Sequence, residues 1–164
     1  MPIEQNPKTH RCCFTGHRPE KLTMPEHKVN AALETQIRAA IGHGFQTFIS
    51  GMSRGVDIWA AEIVLRLRNE GRKIRLVCAV PYPGFETRWS AEWQDRYHRI
   101  LNEADWIEYI CPTYSPNCFQ ARNEWMVNHA ARMIAVYNGT GGGTRNTLKY
   151  AESQGLSIIK IYGV

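Results

Sequence analysis

Short runs of apolar, often β-branched residues alternate along this chain with longer stretches in which apolar residues recur every three or four positions. The short runs predict strands over 11–16, 45–50, 74–80, 106–111, 133–138 and 157–162. The longer stretches predict helices over 26–42, 55–70, 86–103, 119–130 and 144–154. In the second of these, Val56, Trp59, Ala60, Ile63, Val64 and Leu67 fall on one face, which is a core face. Gly42 and Gly44, Gly71 and Gly155 stand where helices should stop. Strands separated by helices imply right-handed crossovers. The expected fold is α/β: a single-domain, Rossmann-like, doubly wound, mostly parallel sheet of about six strands with helices on both faces.

Three strand-to-helix crossings carry glycine. They are the segments Thr15-Gly16-His17-Arg18-Pro19, Ser50-Gly51-Met52-Ser53-Arg54-Gly55-Val56-Asp57 and Asn138-Gly139-Thr140-Gly141-Gly142-Gly143-Thr144. In a parallel sheet all three lie at the carboxyl ends of the strands, where open α/β folds bind ligands. Glycine lets backbone approach an anion, and the following helix points unpaired N–H groups at it, so three such loops argue for a phosphate-bearing ligand. The expected binding residues are Thr15, Gly16, His17, Arg18, Ser50, Gly51, Asp57, Arg122, Asn123, Gly141, Gly142, Gly143 and Thr144. Arg18 and Arg122 can grip phosphate in a bidentate fork. Asp57 can bond loop amides or a ribose hydroxyl, while Ser53 and Thr144 can also serve as helix caps. In a Rossmann-like strand order the first and fourth strands flank the switch point, so the loop 112–118 should face His17 and Arg18.

The bulk properties narrow the partners. With 164 residues, 43% hydrophobic and 21% charged, the chain can bury one substantial core. Residues 1–10 read as a short lead-in, without a signal peptide, to one domain over 11–164. No apolar run is long enough to span a membrane. Five cysteines in no regular framework suggest free thiols and a cytoplasmic setting. Cys111 and Cys118, or His10 with Cys12 and Cys13, match no zinc spacing, and no metal is expected. The Gly-x-Gly-x-x-Gly fingerprint and the P-loop are both absent, and no cofactor is called for. A net charge of +5 favours anionic partners softly. Arg66, Arg68, Arg72, Lys73 and Arg75 gather at one helix end, where a solvated face is the expected reading, and no aromatic interleaving supports a nucleic-acid stripe. Trp89, Trp93, Tyr97 and Ile100 form one stripe, for core packing or a homodimer face.

Together these residues resemble the SLOG superfamily, the Rossmann-like group that includes DNA-processing protein A and the LOG cytokinin-activating hydrolases, and within it the YpsA-like branch. The resemblance runs from Phe14-Thr15-Gly16-His17-Arg18-Pro19 through Gly51 to Asp57 with Trp59-Ala60-Ala61-Glu62. It continues through Ala104-Asp105, Tyr114, Arg122-Asn123 with Trp125-Met126-Val127, Ile134 to Tyr137, Gly142-Gly143-Thr144 and Tyr150-Ala151. It implies a nucleotide-binding pocket. LOG enzymes carry Pro-Gly-Gly-x-Gly-Thr-x-x-Glu; aligned on Gly143-Thr144, this chain has Gly139 for the proline and Thr147 for the active-site glutamate. The leading expectation is therefore a module that senses or sequesters a nucleotide or nucleotide-derived ligand, such as an ADP-ribose derivative. A hydrolase acting on such a ligand is the alternative, with Glu124, Asp57 or Glu86 as acid/base. Single-stranded DNA binding, as in DNA-processing protein A, comes third, and a nucleic-acid partner is not expected.

Overall fold

A computed structural model describes residues 8–162; the first seven residues of the predicted lead-in lie outside it. Six strands and five α-helices alternate: β1 (Arg11–Gly16), α1 (Glu26–Gly42), β2 (Thr47–Ser50), α2 (Val56–Asn69), β3 (Arg75–Val80), α3 (Ala91–Glu103), β4 (Trp106–Tyr109), α4 (Cys118–Asn128), β5 (Arg132–Val136), α5 (Gly143–Ser153) and β6 (Ser157–Ile161). All neighbouring strands are parallel, in the order β4-β3-β2-β1-β5-β6.

Side chains alternate across the sheet and feed two cores. Phe14, Phe48, Leu76, Cys78, Ile134 and Val136 point to one face, where α1, α2 and α3 cover them. Cys13, Ile49, Val77, Ala79, Met133 and Ala135 point to the other, beneath Met126 and Val127 of α4 and Leu148 and Ala151 of α5. Helix α1 packs through Val29, Leu33, Ile37 and Ala40, the face its spacing predicts. In the middle of α2, Ile58, Ala60, Ala61 and Val64 are all fully buried between sheet and neighbouring helices.

Two expectations change. The strand order places β4 at the sheet edge beside β3, so the switch point lies between β1 and β5 rather than between the first and fourth strands. The loop 112–118 follows that edge strand, and α4 crosses back over β3 toward α5. The third helix begins at Ala91, not at 86, because Ser90 caps it by accepting a hydrogen bond from Trp93 N. Residues 84–89 are instead a chain of turns, with Thr87 N donating to Gly84 O and Trp89 N to Glu86 O. The aromatic stripe therefore divides. Tyr97 and Ile100 are buried in the core, and Trp93 packs on Trp59 at 6.3 Å, while Trp89 belongs to the turn segment.

Two of the five cations of the basic cluster are paired with acids: Arg66 with Glu34 and Glu70, and Arg68 with Asp105 at 2.8 Å. All five cysteines are free. Among the described residues no helix is long and apolar enough to cross a membrane, and no group of three His, Cys, Asp or Glu side chains could hold a metal ion.

Candidate functional site

At the carboxyl edge, where the chain leaves β1, β2, β3 and β5, the loops enclose a cleft of about 410 Å³. Gly16, His17, Arg18, Asp57, Arg122, Asn123, Gly143 and Thr144 line it, and each was expected there. Thr15, Ser50, Gly51, Gly141 and Gly142 do not reach its surface. Ser50 is fully buried and works within the loop: its Oγ donates to Asp57 O at 2.8 Å and accepts from Met52 N at 3.1 Å.

The glycines act by packing more than by baring backbone. A Cβ on Gly16 would stand 2.6 Å from Val56 Cβ, so this glycine lets α2 press against the end of β1. Gly55, with φ of 90°, is the N-cap residue of α2 and lies against Pro19. Gly51 leaves room for the Arg122 guanidinium. The third loop caps differently from expectation: Gly142 is the N-cap residue of α5, so Thr144 lies inside the helix. Similarly Ser53 does not cap α2; its N–H donates to Asp57 Oδ2 at 3.2 Å. Asn138 ties the third loop to the first, donating to Lys21 O at 3.0 Å and accepting from Thr140 N at 3.0 Å.

Asp57 is 7% exposed, and its second oxygen, Oδ1, is buried with no hydrogen-bond partner. Burial raises its pKa to about 6, against the opposing pull of Arg122 and the Ser53 amide. His17 is 3% exposed and stacks on Tyr137 at 5.5 Å, its Nε2 buried and unpartnered. Burial, then Lys21, lowers its pKa, which favours the neutral ring. Arg122 is buried and largely committed to the protein, donating to Gly51 O, to Asn123 Oδ1 at 2.8 Å and to Ser53 Oγ at 3.4 Å. It holds the second loop to α4. Arg18, by contrast, is exposed at the cleft.

Of the three acid/base candidates only Asp57 lines the cleft. Glu86 is buried in the turn segment and bonds His98 at 3.1 Å, while Glu124 accepts from Gln120 at 2.9 Å. Six lining residues were not expected: Lys21, Ser53, Arg54, Phe85, Trp89 and Phe119. Phe85 packs edge-on against Trp89 at 5.0 Å and against Phe119 at 6.3 Å, forming an aromatic wall. Its signal was present, since Pro81-Tyr82-Pro83-Gly84-Phe85 is a fourth glycine-bearing loop after a strand.

Comparison with known proteins places this arrangement. A UPF0398 protein of Halalkalibacterium halodurans is 29% identical over 133 residues, covering 76% of this chain and 70% of that protein. The uncharacterized SPbeta prophage-derived protein YoqJ of Bacillus subtilis is 34% identical over 117 residues, covering 64% and 68%. Among solved structures, DNA processing protein A of Streptococcus pneumoniae superposes with a TM-score of 0.65 at 14% identity, covering 99% of this chain. The chain spans 52% of that protein's length. The Helicobacter pylori protein, whose structure was described for its single-stranded DNA binding mode, gives 0.65 at 17% identity, covering 98% of this chain and 67% of its own. These structures share the fold. The model of the YspA SLOG family matches residues 12–158, and the chain belongs to that family.

Proposed function

We propose that the cleft binds a nucleotide or nucleotide-derived ligand of the ADP-ribose kind, and that residues 11–164 act as one sensing or sequestering module. The observation that carries this reading is the cleft's mixed lining. Arg18, Lys21, Gly143 and Thr144 offer cations and a helix start suited to phosphate, while Phe85, Trp89 and Phe119 offer apolar rings suited to a base. Asp57 and His17 line the same cleft, and Asp57 Oδ1 and His17 Nε2 have no protein partner, so hydroxyl groups of a sugar could supply one. Titration calorimetry with AMP, ADP and ADP-ribose tests it. Arg18→Ala should weaken binding by about 1.5–3 kcal/mol, the range for hydrogen bonds to charged groups. Unchanged affinity, or no binding by the parent protein, defeats the phosphate assignment.

A hydrolase reading rests on Asp57, whose raised pKa and place in the cleft suit proton transfer. LOG-type cleavage is not expected, because Thr147 has no carboxylate and its hydroxyl bonds Gly143 O at 2.9 Å. Release of free adenine from AMP would overturn that expectation. Single-stranded DNA binding gains support from the Helicobacter pylori neighbour and from the aromatic wall, which bases could stack on. Fluorescence anisotropy separates it: strand binding near physiological salt, competed by mononucleotide, would put DNA in the cleft.

A further inference from the structure

Two side chains of the cleft wall, Asp57 and His17, are more than nine-tenths buried, and each holds a polar atom that the protein leaves unpaired. Asp57 stands in the first turn of α2, where the two oxygens of its carboxylate have different fates. Oδ2 accepts from Ser53 N at 3.2 Å, while Oδ1 has no partner. Arg122 does not supply one, because its donors go to Gly51 O, Asn123 Oδ1 and Ser53 Oγ. His17 is held by its N–H, which donates to Val136 O at 3.3 Å, and by the stack of its ring on Tyr137. The ring is fixed, yet Nε2 stays unpaired. Folded proteins retain few such atoms, and at the wall of a cleft they mark where a ligand completes the set. The chemistry of that ligand group is restricted. A phosphate oxygen would set a second negative acceptor against Asp57 Oδ1. Two-bond pairing with the edge of a base needs both carboxylate oxygens, and the Ser53 amide holds Oδ2. A hydroxyl donates one proton and also accepts, so it suits one free carboxylate oxygen and a ring nitrogen in either tautomer.

We propose that Asp57 Oδ1 and His17 Nε2 each take one sugar hydroxyl and so make the cleft select ribonucleotides over deoxyribonucleotides. This selection rests on the nucleotide reading of the cleft. The number of hydroxyls decides it. The sugar of a ribonucleoside 5′-phosphate carries two free hydroxyls, one for each unpaired atom, and a deoxyribose carries one. A deoxyribonucleotide seated in the cleft leaves one buried atom without a partner. Sites built to bond a hydroxyl strongly reject the analogue that lacks it, for that reason. Within a DNA strand the 2′-hydroxyl is absent and the 3′ oxygen is esterified, so neither atom is satisfied. The same two side chains therefore disfavour a continuous DNA strand in the cleft.

The test is titration calorimetry of the whole protein with ADP, 2′-deoxy-ADP and 3′-deoxy-ADP, at a pH well above about 6, where Asp57 is ionised. Each deoxy form should bind about tenfold more weakly than ADP, or worse. Asp57→Asn, which keeps an oxygen for the Ser53 amide, should retain the fold by circular dichroism. It should bind ADP more weakly and lose most of its preference over one deoxy form. Its preference over the other, whose missing hydroxyl belongs to His17, should remain. A deoxy form that binds as tightly as ADP, or an Asp57→Asn variant with both preferences intact, overturns the assignment. Equal binding of all three overturns it while the nucleotide reading stands; binding of none defeats both. Should Asp57→Asn fail to fold, the parent protein's ranking of the three ligands still decides.

Discussion

Gly16→Ala unfolds at a clearly lower urea concentration than the parent protein, having lost about 3 kcal/mol, the upper range for overpacking a well-filled core. Its new methyl would stand 2.6–2.7 Å from the Cβ and both Cγ atoms of Val56, and neither partner can yield freely. Gly16 ends a strand paired residue by residue with β5, and Val56 opens a helix whose first six residues are all buried. Val56→Ala removes two of the three contacts, so the double variant should recover part of the loss although each single change is destabilising. An unchanged midpoint in Gly16→Ala, or a double variant weaker than the sum of the singles, would show that α2 does not seat on Gly16.

Acidity supplies the second large effect, centred on Asp57. Its pKa is about 6 when folded, against an ordinary value of 3.8, so the folded state holds this proton more tightly than the unfolded chain. The associated stability is fully present below the unfolded value and is lost as pH rises through about 6. The loss is on the order of 3 kcal/mol. Asp57→Asn keeps an oxygen for the Ser53 amide and has no charge to bury, so this loss should be missing from its profile. Glu34 runs the opposite way, its pKa lowered by Arg38 and Arg66, so the difference between parent and variant is the quantity to measure. Parallel profiles for the two proteins would remove the assignment.

Much of the fold could be read from periodicity because burial here follows it closely. Phe14 and Cys13 go to opposite faces, and Val29, Leu33 and Ile37 to one. Strand order was less legible, since nothing local in the residues of β4 says whether it neighbours β1 or β3. The cleft was legible in its glycine loops but not in its aromatic wall. Phe85 and Trp89 fit a helical spacing, and only the Ser90 cap and the turns before it move them out of α3. Arg122 lines the cleft, yet its partners Gly51 and Ser53 lie about seventy residues away in the chain, at separations of 71 and 69. A pattern along the sequence shows where a cation stands; it does not show whether protein or ligand will occupy its donors.

The strand order also sets a timetable. β1 sits inside the sheet with β2 on one side and β5 on the other, Cys12 lying opposite Phe48 and Arg132. The first neighbour is made soon after β1, but the second leaves the ribosome only after some hundred further residues, so half of β1's ladder waits exposed meanwhile. His17 N has no partner until Val136 O arrives, and the loop from Asn138 to Thr144 follows it. A chain truncated before β5 therefore leaves β1, interior in the complete sheet, as an open edge and lacks the Gly143 and Thr144 side of its cleft, and its hazard during synthesis is association with another chain through that edge.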